Sequence, residues 1–264
     1  YATITAQGIS FVISIFYLKR HHVFFGTTVC KKLAVQWDKI VAILKIGLPT
    51  AIQMVVVNTA YLLVTGMLNQ FGTSVSAASG VGLQINTFAG MPCWAVGQAV
   101  TAMVGQCMGA EQIKRARKVV KIGLLVNIAM TLVVVLCIQV FAEQLILLFG
   151  SNSLEVVTDG VYYLRVCCGV NSLIYAAMYT LDSFSFGVGA ANVAMLNALL
   201  NAVVVRLPVS WILAFTLGMG FPGIYFGQAL SPILPAFVGF IYFKSGIWER
   251  KSLIQKSRKE GNPE

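Results

Sequence analysis

Charge is what this chain has least of. Asp, Glu, Lys and Arg make up 11% of its 264 residues, whereas a soluble domain carries roughly 25% to keep its surface in water. Acids are the rarer sign, 9 against 19 basic residues, and there are two histidines. With so few of either, and no HExxH, Ser-His pairing or phosphate loop within an apolar run, the residues offer no constellation for an enzyme. CxxC spacing is also missing among Cys30, Cys93, Cys107, Cys137, Cys167 and Cys168, which argues against a metal site or a thiol redox pair. Most of these cysteines sit in apolar runs and read as small buried hydrophobes. His21 and His22 lie in a basic loop and read as solvated. A leader of Met plus a basic stretch is lacking as well; the first residues already belong to an apolar run, so the expectation is that the natural protein extends upstream.

What is present is hydrocarbon. Hydrophobic residues form 58% of the chain and mean hydropathy is +0.80. Apolar runs of about 20 residues recur along the whole length, and in lipid such runs satisfy their backbone amides only as helices or closed barrels. Their continuous, non-alternating character selects helices. The predicted fold is an all-α membrane protein, a polytopic bundle with seven spans, at about 1–18, 40–67, 76–108, 119–141, 160–185, 189–214 and 220–243. The third is too long for one ideal crossing, so it should tilt, extend beyond the bilayer or bend near Gly90 to Pro92.

The basic residues, a nucleic-acid signal at first sight, are confined to a few loops and the tail, and read as topology markers. Lys19, Arg20, Lys31, Lys32 and Lys39 follow span one; Lys114, Arg115, Arg117, Lys118 and Lys121 follow span three; Lys244, Arg250, Lys251, Lys256, Arg258 and Lys259 close the chain. The alternate loops carry no charge, or only Glu143, Glu155 and Asp159. Seven spans starting outside and ending inside satisfy this alternation, placing the carboxy terminus in the cytoplasm of a bacterial inner membrane. Trp37, Trp94, Trp211 and Trp248 read as headgroup anchors, and the stretch from Trp248 to Glu264 as a frayed basic tail attracted to anionic lipid.

Polar side chains inside the spans are the candidate site, because lipid penalises them unless they face a cavity or another helix. Span five carries Asn171, Tyr175, Tyr179 or Met178, and Asp182 at three- and four-residue steps, hence on one face. Asp182 is the one acid placed within a span, and reads either as a proton or cation acceptor or as a hydrated cap near the cytoplasmic surface. Span two offers Gln53, with Met54, Asn58 and Tyr61 on one face. Pro49 either starts that helix or kinks it. Span three mixes Pro92, Gln84, Asn86, Gln98 and Gln106 with many glycines and alanines that permit close helix approach. Span six holds Asn192, Asn197 and Asn201, then Arg206 and Pro208. The rise per residue sets Arg206 and Asp182 on levels about 15 to 20 Å apart, so Arg206 is expected toward the outer half, near Asp159 or Glu155, as a snorkelling or ion-paired anchor. The faces of spans two, three, five and six together would wall a polar-spotted cavity.

Three segments resemble the multidrug and toxic compound extrusion (MATE) family: GLPTAIQ at Gly47 to Gln53, AVGQAVTAMVGQCMGA at Ala95 to Ala110, and SFGVGAANVAMLNALLNAVVVRLPVSWIL at Ser185 to Leu213. The resemblance implies twelve helices in two lobes of six. On that alignment residues 1–18 are the last helix of the amino-terminal lobe, 19–39 a cytoplasmic inter-lobe loop, 40–244 the six-helix carboxy-terminal lobe and 245–264 a basic tail. It further implies export of organic, cationic or amphipathic compounds in exchange for H+ or Na+ by alternating access. The partners would be small organic solutes, membrane lipid and the missing amino-terminal lobe of the same polypeptide, with no nucleic acid, no cofactor and no metal. Sodium-coupled members carry acids that would match Val57 or Asn58 and Tyr175; this chain lacks them, which favours proton coupling through the other lobe. The competing readings are a lipid-linked oligosaccharide flippase, expected to line its cavity with more cations than Arg165 and Arg206, a non-transporting scaffold without a solute-sized cavity, and an inactive fragment.

Overall fold

The computed structural model describes residues 2–20, 37–149, 153–169 and 171–249. The expectations for His21, His22, Cys30, Lys31 and Lys32, and for the tail from Arg250 onward, lie outside the described residues. Among the described residues every regular element is a helix. The elements are α1 (Ala2–Arg20), α2 (Trp37–Asn69), α3 (Thr73–Gly109), α4 (Ile113–Leu148), α5 (Leu154–Cys167), α6 (Asn171–Gly187), α7 (Ala191–Leu199), α8 (Leu207–Trp211), α9 (Phe221–Leu230) and α10 (Ile233–Ser245). Two π-helical stretches, Leu200–Arg206 and Ile212–Thr216, join and extend α7 and α8 into one rod.

By length and composition four segments suffice to cross a membrane: Ile43–Asn69, Ile113–Leu148, Ala191–Thr216 and Phe221–Ser245. A fifth is added if α5 and α6, which meet at 51°, form one broken crossing. These faces are covered with exposed Leu, Ile, Val and Phe, as a lipid solvent requires. The helix α3 contains no Asp, Glu, Lys or Arg, yet its amides, serines and glycines leave it less apolar than those segments. It serves instead as the hub, packed against α4, α5 and α6. At 37 residues it stays helical through Pro92, on the order of 55 Å at the helical rise.

Contacts divide the chain into two units, Tyr1–Leu44 and Lys45–Glu264. In the first, α1 exposes Ile4, Phe11, Val12 and Phe16. The second holds two buried apolar clusters. One gathers Val64, Leu68, Ile85, Ile138, Ile146, Tyr163, Leu164, Ile224 and Tyr225 from α2, α3, α4, α5 and α9. The other joins Val100 and Val104 of α3, Ala116 and Val120 of α4, Phe184 of α6 and Trp248.

Several expectations are corrected. Trp248 is fully buried rather than a headgroup anchor: its ring meets Phe184 edge-on at 5.1 Å and its Nε1 donates to the Phe243 carbonyl at 3.0 Å. Its neighbour Glu249 forms an ion pair with Arg117 of α4, so the start of the stretch read as a frayed tail is packed on the bundle. Pro49 does not start its helix, since α2 begins at Trp37. The expected fourth span continues to Leu148 past a non-helical Phe141 (φ −103°, ψ 18°).

The expected fifth span is broken between Cys167 and Asn171, a break that frees carbonyls in a lipid setting where none can be left unpaired. Neighbouring amides satisfy them. Gln139 of α4 donates to the carbonyls of Cys168 at 3.1 Å and Leu164 at 3.4 Å, and Asn171 donates to that of Cys167 at 3.0 Å. The π-helical stretch before α8 has a related cause. Pro208 has no N–H to return to Val204 and its ring crowds that carbonyl, and the ladder widens to i→i−5, with the Leu207 amide donating to the Ala202 carbonyl.

The small residues expected to allow close approach in α3 do so at Gly82, against Tyr163, and at Gly97, against Tyr179 and Ser183, while Gly80 and Gly109 have open space. A tighter seam lies elsewhere. Gly223 and Gly227, four apart on α9, rest on the backbone of the α8 rod: a Cβ at Gly223 would come 2.6 Å from the Leu213 carbonyl carbon, and one at Gly227 2.7 Å from the Ser210 Cα. This is the small-xxx-small pattern by which helix backbones touch in lipid. Backbone cannot swing aside as a side chain can, so Gly227→Val should destabilise the bundle by about 1–3 kcal/mol. The reversible SDS-unfolding midpoint measures it, with the lipid-facing Leu196→Val as the near-neutral comparison.

Candidate functional site

Inside the second unit, α2, α3, α4, the α5–α6 break and the α8–α9 region enclose a cavity of about 340 Å³, within the range of small-molecule sites. Its wall carries amides from Asn58, Asn86, Asn171 and Gln228, the rings of Tyr61, Trp94 and Tyr175, and the guanidinium of Arg206. No Asp or Glu among the described residues lines it.

The face predicted on α6 is divided between this cavity and the protein interior. Asn171 and Tyr175 line the cavity. Trp94 Nε1 donates to the Tyr175 hydroxyl at 3.4 Å, and Tyr175 stacks on Tyr179, ring centroids 6.2 Å apart. One helical step further, Asp182 is buried, and its Oδ1 accepts from Asn197 Nδ2 at 2.6 Å. That pair is internal, so the hydrated-cap reading of Asp182 gives way to a desolvated carboxylate with one amide donor. Asn201 is buried too and donates to the Met178 sulfur at 3.3 Å. Neither Asp182, Asn197 nor Asn201 is part of the cavity wall.

On α2, Asn58 and Tyr61 face the cavity, although Asn58 Nδ2 is occupied by the Met54 carbonyl at 2.8 Å. Gln53 is half-buried with an unpartnered Oε1. On α3, Gln84, Gln98 and Gln106 are exposed and lie away from the cavity, while Pro92 is half-buried beside Cys93 and Trp94, which do line it. Pro49 is half-buried and Pro208 exposed. Arg165 is exposed and outside the wall.

Arg206 is the main correction. It was expected beside Asp159 or Glu155, but those acids line a separate surface depression with Phe71 and Ser74. Arg206 instead lies in the cavity wall at 7% exposure, its guanidinium 4.5 Å above the Tyr61 ring, with Nε and Nη2 each 3.4 Å from Ser231 Oγ. Asp182 and Arg206 are the only buried charged side chains among the described residues, and each has its own partners.

Three amides escaped the sequence reading. Gln228 of α9 lines the cavity. Gln139 repairs the broken crossing, as above. Asn127 of α4 is fully buried, and its Nδ2 donates to Thr180 Oγ1 at 2.8 Å, with the Ala176 carbonyl and Cys93 also within 3.5 Å. It ties α4 to α3 and α6 behind the cavity. Only its place amid an otherwise apolar α4 run, where an amide is costly, marked it. In a double-mutant cycle, Asn127→Ala and Thr180→Val should show a coupling of about 0.5–1.5 kcal/mol in SDS unfolding; strictly additive effects would mean that the two side chains share no bond.

A family model described as MatE matches residues 49–212. "Probable multidrug resistance protein YpnP" of Bacillus subtilis is 28% identical over 255 residues, 96% of this chain and 56% of that protein. "Probable multidrug resistance protein YoeA" of the same organism is 22% identical over 260 residues, 97% of this chain and 55% of that protein. Among solved structures, the Vibrio cholerae MATE transporter VcmN in the bent form superposes with a TM-score of 0.80 at 20% identity, covering 96% of this chain and 56% of VcmN. At that identity the likeness is one of fold. The chain thus spans about half the length of the curated relatives it matches. The match across residues 49–212, more than half of the chain and including α3, α4, both halves of the broken crossing and the Arg206 rod, establishes that this chain belongs to the MatE family.

Proposed function

We propose that this chain supplies one lobe of a secondary transporter that exports organic, amphipathic solutes across a bacterial inner membrane by alternating access, with its carboxy terminus in the cytoplasm. The carrying observation is the cavity: about 340 Å³ of space with amide, aromatic and cationic walls, enclosed by helices whose outer faces are apolar. This speaks against the scaffold reading, which required that no solute-sized cavity exist. A single cation in the wall speaks against the oligosaccharide flippase, by the requirement for several. The names of YpnP and YoeA, as multidrug resistance proteins, agree with solute export.

Three aromatic faces, Tyr61, Trp94 and Tyr175, suit a flat apolar body, and the amides suit its orientation. Rocking of this lobe against the amino-terminal lobe of the same polypeptide would expose the cavity to each side in turn. The coupling ion is H+ or Na+. With no carboxylate among the described residues of the cavity wall, a proton is favoured, accepted either in the other lobe or at the buried Asp182, where Asn197 is its one hydrogen-bond partner.

Transport by the full-length protein in inverted vesicles tests both parts. Tyr175→Ala should lower export of an aromatic dye by roughly two- to tenfold, the worth of one aromatic contact, while Tyr175→Phe keeps it. An unchanged rate in the Ala variant would reject the cavity as the solute path. Asp182→Asn should reduce ion-driven efflux with unaltered membrane abundance; normal efflux would remove Asp182 from coupling.

A further inference from the structure

Among the described residues Arg206 is the one charged side chain in the cavity wall, and no acid pairs with it. Arg206 carries five N–H donors and no acceptor, yet its hydrogen bonds within the described chain go to one atom, Ser231 Oγ, at 3.4 Å from two nitrogens. That hydroxyl is itself committed as a donor to the Gln228 carbonyl at 2.9 Å, so it offers lone pairs and little more. The Tyr61 ring shields one guanidinium face. The only ion pair among the described residues, Arg117–Glu249, is elsewhere, and the buried acid Asp182 is engaged by Asn197. A guanidinium held at 7% exposure without a counter-charge is costly, and the cost is relieved by an oxyanion that accepts two parallel N–H bonds from its fork.

The geometry of the chain aims this group deliberately. Arg206 ends a π-helical stretch, an arrangement that costs hydrogen-bond quality and collects at functional sites. Beside it the wall supplies flat apolar faces at Trp94 and Tyr175, the Trp94 N–H being engaged by the Tyr175 hydroxyl, and no Asp or Glu among the described residues lines it to repel an anion.

From this charge and geometry we infer that the cavity selects amphipathic solutes bearing one oxyanion, a carboxylate, phosphate monoester or sulfonate, which docks on Arg206 while the apolar body lies against Trp94 and Tyr175. The inference rests on the cavity being the solute path and names the chemical class that this path admits. The oxyanion belongs either to a soluble amphipath or to an anionic lipid headgroup.

The test uses the full-length protein in a neutral maltoside detergent and two probes that differ by one sulfonate, 8-anilinonaphthalene-1-sulfonate and uncharged N-phenyl-1-naphthylamine. Arg206→Gln should weaken binding of the sulfonate about tenfold or more, the worth of a charge-assisted bond, and leave the uncharged probe within about twofold. Arg206→Lys should weaken the sulfonate by less. If Arg206→Gln does not purify as a monodisperse helical protein, Arg206→Lys carries the test alone, because it keeps the charge and loses the planar fork; it should then cost the sulfonate about threefold and the uncharged probe nothing. Displacement of the sulfonate probe by phosphatidylglycerol in the wild type, and not in the variant, identifies a lipid headgroup as the source, and absence of displacement a soluble anion. Loss of both probes alike, or of neither, in the Arg206 variants overturns the inference. If Tyr175→Ala weakens both probes while the Arg206 variants show no preference, the cavity reading stands and the anion falls. If no cavity substitution moves either probe, both fall.

Discussion

In hydrocarbon a backbone amide must find its partner inside the protein, because no water is present to take its place. Regular helices meet that condition along most of the described chain. The places where the helical ladder is interrupted show what the condition demands. At the break between α5 and α6, carbonyls are satisfied by side-chain amides brought from α4 and from Asn171 itself. Ahead of Pro208 the ladder is not broken but widened, so that the Leu207 amide still finds the Ala202 carbonyl. The rest of the bundle is arranged around these repairs: α4 must approach the α5–α6 corner closely enough for Gln139 to reach it, and α3, with its small residues, fits between them.

The same condition sorts the polar side chains of the spans. Some are consumed by structure: Asn127 bridges three helices, Gln139 caps the break, Asn201 is spent on a methionine sulfur, and Asn58 returns to its own helix. Others keep unspent capacity. Asn171 holds a carbonyl with its nitrogen while its Oδ1 is buried without a partner, and Arg206 has donors left over. Amide oxygens without a partner are also buried away from the cavity, at Asn127, Asn197 and Asn201; Asn171 and Arg206 differ from these in lining the hollow.

Sequence reasoning reached the helices and the faces but not the neighbours. Unbroken apolar runs identify rods, and three- and four-residue steps identify which side chains share a side; both apply directly to Asn171 and Tyr175 on α6, and to Asn58 and Tyr61 on α2. What lies opposite a face depends on packing between rods, which periodicity along one rod does not contain. Gln84, Gln98 and Gln106 satisfied the polarity criterion on α3, yet are not in the cavity wall, whereas Asn127 and Gln139, isolated in an apolar run, tie α4 to its neighbours. Trp248 shows the limit of composition: beside a basic tail an indole reads as an anchor, but Phe184 and Phe243 provide a pocket in which it is buried.

Arg206 was misplaced for a different reason, one of rotation. The helical rise gives its level along the rod correctly enough to separate it from Asp182, but its direction depends on the local turn. In an α-helix residues five apart point to different sides, since each residue turns the helix by about 100°. In the i→i−5 pattern they stack instead. Asn201 and Arg206 are five apart across the π-helical stretch, and Asn197 lies four before Asn201 in the ordinary α7 helix. One continuous ridge therefore leads from the buried Asp182–Asn197 pair, past the Asn201–Met178 contact, to the cationic wall of the cavity. Both buried charges of the lobe are held by a single rod whose register is set by Pro208. An ordinary α-helical turn in place of the π-helical stretch would rotate Arg206 relative to Asn197 and Asn201. The widened turn thus lies between the two ends of the ridge, one closed around an acid and the other in the cavity wall.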